Sequence, residues 1–153
     1  MANQQISLTG TDTLQIFGRT ITSFGTGDYF VFTLDQELFK VEVGKDGNAV
    51  YAFNAPGLVT KGVLKVLRGS RDDRFLNNLL AGMVADPSGF ILGTCVAVKR
   101  IGTGTGTIRN DVYLFGGAVF SKFPGVKGNA QGDVEQALVP YEIMFTSVTR
   151  VEQ

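Results

Sequence analysis

The side chains that most readily do chemistry are scarce in this sequence. Its 153 residues include one cysteine and no histidine, so the Ser-His-Asp and Cys-His arrangements and the usual zinc sites are absent. Cys95 lies in Phe90-Ile91-Leu92-Gly93-Thr94-Cys95-Val96-Ala97-Val98, which reads as a buried strand. With no histidine to activate it, the thiol reads as a small buried hydrophobe rather than a nucleophile. A pair of carboxylates is the remaining acid–base option, and Asp72-Asp73 is the adjacent pair. Both fall in the first turn of an expected helix, where capping and the helix dipole account for them without catalysis. No catalytic, metal-binding or cofactor-binding residue is therefore assigned, and the chain is not expected to be an enzyme.

Two further stretches imitate ligand sites. Gly102-Thr103-Gly104-Thr105-Gly106-Thr107 resembles a phosphate cradle, but a P-loop ends in Gly-Lys-Ser/Thr and opens a helix. This run passes through Ile108-Arg109 into a strand, so it reads as a flexible connection. Lys45-Asp46-Gly47-Asn48 is too short and too poor in acids for a calcium loop. It reads as a tight turn in which Gly47 takes positive φ. Arg68, Arg71 and Arg74 are interleaved with Asp72 and Asp73, which makes mixed charge rather than a basic patch. Local ion pairs are one reading, and pairing with a neighbouring subunit is the other.

The elements that would position these residues are mostly strands. Twenty glycines punctuate short β-branched and aromatic runs, a mostly β pattern. Strands are expected at residues 5–9, 13–17, 29–34, 38–43, 49–53, 62–68, 90–99, 108–115 and 118–123, with a long closing strand over 139–151. The piece at 21–24 is of uncertain type, 54–57 breaks the chain, and 123–132 reads as an exposed loop. Residues 70–84 form the one expected amphipathic helix: apolar residues at 75, 76, 79, 80, 83 and 84 make a single stripe. Ser70 caps its amino end, with Asp73 three residues on. Hydrophobic residues make up 44% and charged residues 18%, enough for the core of one β domain over residues 1–153.

Fourteen basic residues balance fourteen acidic ones, which disfavours tight nucleic-acid binding through phosphates. The polar start, Met1-Ala2-Asn3-Gln4-Gln5, lacks a signal-peptide core, and no apolar run suffices for a membrane-spanning helix. Synthesis in the cytoplasm is the expectation.

Several faces ask for cover beyond what one helix supplies. Residues 29–34 (YFVFTL) are apolar on both faces, as are residues 90–98. A hairpin turning at Asp46-Gly47 pairs Val43 with Val50 and Val41 with Ala52 on a core face. Its other face pairs Glu42 with Tyr51 and Lys40 with Phe53, more aromatic than a solvated surface needs. Association with other subunits is therefore expected, with edge-to-edge ring closure protecting the sheet edges.

The run from residue 10 to residue 80 resembles the tail tube proteins of contractile-tailed bacteriophages. The resemblance is carried by the early Thr-Asp-Thr-Leu strand, the Asp28-Tyr29 strand entry, Val43-Gly44-Lys45-Asp46-Gly47-Asn48, and Leu67-Arg68-Gly69-Ser70 opening the helix. It implies a mainly β fold, a β-sandwich or rolled sheet with one flanking helix. It also implies hexameric rings stacked into an inner tail tube within a contractile sheath. The viral DNA would leave through the lumen without specific binding. Partners would be further copies of the chain and the tail sheath, baseplate, tape measure and tail terminator proteins. The location would be the virion tail, assembled in the host bacterial cytoplasm. Related inner tubes occur in pyocin-like particles and type VI secretion systems. The candidate interface residues are Lys40, Glu42, Tyr51, Phe53, Arg68, Arg71 and Arg74. The alternatives are a tube-initiating baseplate protein, a tail terminator, and a small-molecule-binding β-barrel in the lipocalin style.

Overall fold

The computed structural model describes the chain apart from residues 1–5, 9, 11, 26, 35, 55–57, 127, 129, 131, 133 and 153. The strands are β1 (Ser7–Leu8), β2 (Thr13–Ile16), β3 (Arg19–Ile21), β4 (Phe30–Leu34), β5 (Phe39–Val43), β6 (Ala49–Phe53) and β7 (Thr60–Leu67). After the helix α1 (Arg71–Ala85) come β8 (Gly93–Gly102), β9 (Ile108–Lys122), β10 (Leu138–Phe145) and β11 (Ser147–Glu152). The fold is mainly β with one flanking helix. Parts of four expected features, namely the first strand at 5 and 9, the Thr-Asp-Thr-Leu stretch at 11, the break at 55–57 and the exposed loop at 127, 129 and 131, lie outside the described residues.

Nine strands form one antiparallel sheet in the order β3-β2-β8-β9-β10-β7-β4, with β1 also on β8 and β11 also on β9; β5 and β6 form a separate two-stranded sheet. The long strand β9 joins the two halves of the large sheet. On one edge, residues 111–116 pair with β11 and residues 119–122 with β10. Sequence reading expects two strands here, 108–115 and 118–123. They are one strand bent at Gly116-Gly117, where a bulge sets Gly93 opposite Ala118 and Thr94 opposite Gly116. Gly117 has φ +67, and a Cβ there would overlap the Thr146 hydroxyl, so the bend requires glycine. The expected single strand 139–151 is instead broken at Thr146, whose N–H donates to Gly116 O at 2.9 Å.

The bend brings the inner faces of both halves into one core. Alternation along β7 buries Thr60, Gly62, Leu64 and Val66, and along β10 buries Val139, Tyr141, Ile143 and Phe145. These meet Leu14, Ile16, Cys95, Phe115 and Phe120 from the other strands. The middle is aromatic: Phe115 and Phe145 lie 4.7 Å apart between ring centroids, Phe32 and Phe115 5.0 Å, and Phe17 stacks on Phe120 at 5.3 Å. The two faces of β4 differ, and the outer one is among those expected to ask for cover. Phe30 and Phe32 pack inward, while Val31 on the other face is 46% exposed.

Helix α1 closes the core with Leu76 and Leu80, which are buried, and with half-buried Phe75, Leu79 and Met83. Its start is as the sequence indicates: Ser70 Oγ accepts from Asp73 N at 3.1 Å.

Candidate functional site

Asp72 and Asp73 do more than cap the helix. Asp72 is 2% exposed, and its carboxylate accepts from Arg19 Nε at 2.8 Å and from the backbone N–H groups of Thr22 and Ser23 at 2.9 Å each. Burial alone would raise its pKa, but these donors outweigh it and hold the group below the ordinary carboxylate value. Asp73 accepts from Gly69 N at 2.9 Å and from the Tyr141 hydroxyl at 2.6 Å. Burial, reinforced by Asp73, keeps the Tyr141 proton in place far above its usual range. The two carboxylates therefore act as clamps that fasten the helix start to β3 and β10. The ion pair of Asp72 is with Arg19, 53 residues away, rather than with Arg68, Arg71 or Arg74. Arg68 Nη1 reaches Gln136 O at 3.5 Å, while Arg71 and Arg74 are exposed on α1.

Burial pushes the Cys95 thiol up to about 12, which leaves almost no thiolate at neutral pH. Among the described residues, no group of three or more acidic, cysteine or histidine side chains could hold a metal ion, and no helix is long and apolar enough to cross a membrane. Asp12 takes Lys99 Nζ at 2.9 Å and Arg100 N at 3.3 Å, joining the β2 entry to β8. A shallow hollow of about 300 Å³ opens beside them, walled by Tyr29, Phe32, Ala97 and Tyr113.

The feature that the fold leaves without a structural purpose is the β5–β6 hairpin, here called the arm. It is inserted between β4 and β7, neighbouring strands in which Leu34 pairs with Thr60. Asn54 closes its neck: its N–H donates to Leu38 O at 2.6 Å and its Nδ2 to Glu37 O at 2.9 Å. All ten strand residues of the arm are exposed.

The arm's register corrects the expected one. Phe39 pairs with Phe53, Lys40 with Ala52, Val41 with Tyr51, Glu42 with Val50 and Val43 with Ala49. The turn is a three-residue loop, Lys45-Asp46-Gly47, rather than the two-residue Asp-Gly turn. Gly44 N donates to Asn48 O at 2.7 Å and Gly47 N to Gly44 O at 3.0 Å. Gly47 sits at φ +88, and Asp46 Oδ1 accepts from Asn48 N at 3.1 Å. This is the type I turn with a glycine bulge. One extra loop residue shifts the register by one and re-sorts both faces. Phe39, Val41, Val43, Ala49, Tyr51 and Phe53 share one apolar face, with the Phe39 and Phe53 rings 5.4 Å apart. Lys40 and Glu42 lie on the opposite face, with Val50 and Ala52.

The expected mixed face therefore does not exist. Of the seven candidate interface residues, Tyr51 and Phe53 share the apolar face of the arm. Lys40 and Glu42 share its other face, and Arg68, Arg71 and Arg74 belong to the helix entry. Phe39, Val41 and Val43 are the additions. Their apolar spacing of two is present in the sequence, but the two-residue turn assigned the valines to a core. No protein-family model matches the chain, and no curated protein matches it.

Proposed function

We propose that the chain is a structural subunit that joins copies of itself through the β5–β6 arm, and that its assembly is a ring-stacked tube of the contractile-tail type. The observation that carries the reading is the arm: two strands, all exposed, with six apolar side chains on one face. An isolated two-stranded hairpin is marginal in water, and an exposed apolar strand pair is a template for association. A second copy supplies what the monomer lacks. The contact is heterologous, because the arm is one patch and its receiver another. Repetition of a heterologous contact closes a ring or propagates a helix, which is the geometry of a tube.

The resemblance of residues 10–80 to tail tube proteins adds the particular form: hexameric rings stacked inside a sheath, with DNA leaving through the lumen. Balanced charge suits a channel past which phosphates slide. The aromatic filling of the interior weighs against a ligand-carrying barrel. The test is light scattering on the purified full chain beside a variant with Tyr51 and Phe53 replaced by Ser. Arm-dependent oligomers are expected from the parent and a folded monomer from the variant. Equal oligomerisation by both would overturn the arm's role.

A further inference from the structure

We propose that Asp46-Gly47, in the turn of the arm, is a site of spontaneous backbone isomerisation, and that Asn48 is the residue that restrains it. Of the twenty glycines, only Gly47 follows an aspartate or an asparagine. Glycine has no Cβ, so its backbone nitrogen is open to the side chain that precedes it. The pair lies in the exposed three-residue loop. This chemistry belongs to the turn and is independent of assembly.

The Gly47 nitrogen attacks Asp46 Cγ. The nitrogen gives up its proton, the protonated carboxyl gives up its hydroxyl, and one water leaves as a succinimide ring closes. Water then reopens the ring. Opening at Cγ restores aspartate; opening at the main-chain carbonyl carbon of Asp46 leaves the chain running through Cβ and Cγ, as isoaspartate. No oxidant, reductant or cofactor is consumed. In the turn both reacting groups are engaged elsewhere. Gly47 N donates to Gly44 O at 3.0 Å. Asp46 Oδ1 accepts from Asn48 N at 3.1 Å and Asp46 Oδ2 from Asn48 Nδ2 at 2.7 Å, so one residue holds both carboxylate oxygens. Ring closure therefore requires the loop to open first, and the Asn48 side chain makes the shortest of the three bonds that must break. The product lengthens the main chain by one carbon inside a loop closed by Gly44 N and Asn48 O. Loop length sets the register of a hairpin, so isomerisation disturbs the pairing that places Val41 opposite Tyr51 and Phe39 opposite Phe53.

The test incubates the full-length parent and Asn48→Ala for several weeks at neutral pH and physiological temperature, beside the parent unfolded in guanidinium chloride. Isoaspartate at position 46 is then counted by tandem mass spectrometry of proteolytic fragments. The folded parent should convert slowest, the unfolded chain fastest, and Asn48→Ala about two- to tenfold faster than the folded parent, as the loss of one exposed hydrogen bond implies. No isoaspartate at 46 in the unfolded chain would overturn the site. Equal rates in the folded and unfolded parent would overturn the restraint. Equal rates in the folded parent and Asn48→Ala, both below the unfolded chain, would overturn the role of Asn48. A second variant, Asn48→Asp, keeps the shape of the side chain and removes its donor. It should convert at least as fast as Asn48→Ala, and a parental rate would show that the hydrogen bond is not the restraint. Asn48 is exposed, so both variants should keep the parental melting temperature, which confirms that the rates compare folded proteins.

Discussion

Replacing Asp72 with Ala tests whether the helix is fastened to the sheet by one buried carboxylate. The substitution strands two backbone donors, Thr22 N and Ser23 N, and the Arg19 guanidinium. An N–H left without a partner costs about 1–3 kcal/mol when fully buried. These sites are part-buried, so about 1 kcal/mol each is the appropriate figure. Arg19 is 38% exposed, and solvent screening limits its share to about 1 kcal/mol. The expected loss is thus about 3 kcal/mol at pH 7, or roughly 6–12 °C in melting temperature for a domain of this size. The pH dependence follows from the lowered pKa. A carboxyl depressed in the folded state contributes its stability above its unfolded value, near 3.8, and loses it as pH falls through the folded value. The gap between parent and variant should therefore be constant near neutrality and shrink below about pH 4. Urea unfolding at a series of pH values reads both. A neutral-pH loss under about 0.5 kcal/mol, or a gap that persists into acid, would refute the clamp.

Three other outcomes follow from the packing. Leu80→Asp places a charge in the buried helix stripe and should cost upwards of about 4 kcal/mol; a near-parental circular dichroism melt would show that the helix does not close the core. Gly62→Ala would put a Cβ 3.1 Å from the Phe145 and Phe30 rings, so a loss of about 1–3 kcal/mol is expected in the same measurement. Replacing Tyr51 and Phe53 with Ser should leave the melting temperature of the body nearly unchanged. Each ring withdrawn from the contact should weaken it by about 1–2 kcal/mol, so the double variant should raise subunit dissociation roughly 30- to 1,000-fold by sedimentation.

The elements legible in the sequence are those whose signals are local. The helix is marked by its stripe and its Ser70 cap, and it spans Arg71–Ala85 against an expected 70–84. The closing strand is also local in its signal: Tyr141, Ile143 and Phe145 alternate with Glu142 and Met144, and they form the inner face of β10. What escaped was set by distant partners or small differences in turn geometry. The role of Asp72 depends on Arg19, which only the folded sheet brings near. The break at Thr146 depends on the bend at Gly117 opposite it. Asp46-Gly47 is compatible with a two- or a three-residue loop, and that choice alone moved Val41 and Val43 from a supposed core face to the face of Tyr51 and Phe53. The exposure of the arm was not legible, because a strand covered by a partner subunit has the same residues as one covered by its own core.

The measurement that reaches the central claim most directly is negative-stain electron microscopy of the purified full-length protein at high concentration. The account predicts stacked rings or hollow tubes with a sixfold end view. Uniform single rings would contradict the tube and favour a terminator or initiator, and a field of monomers would contradict arm-driven assembly itself.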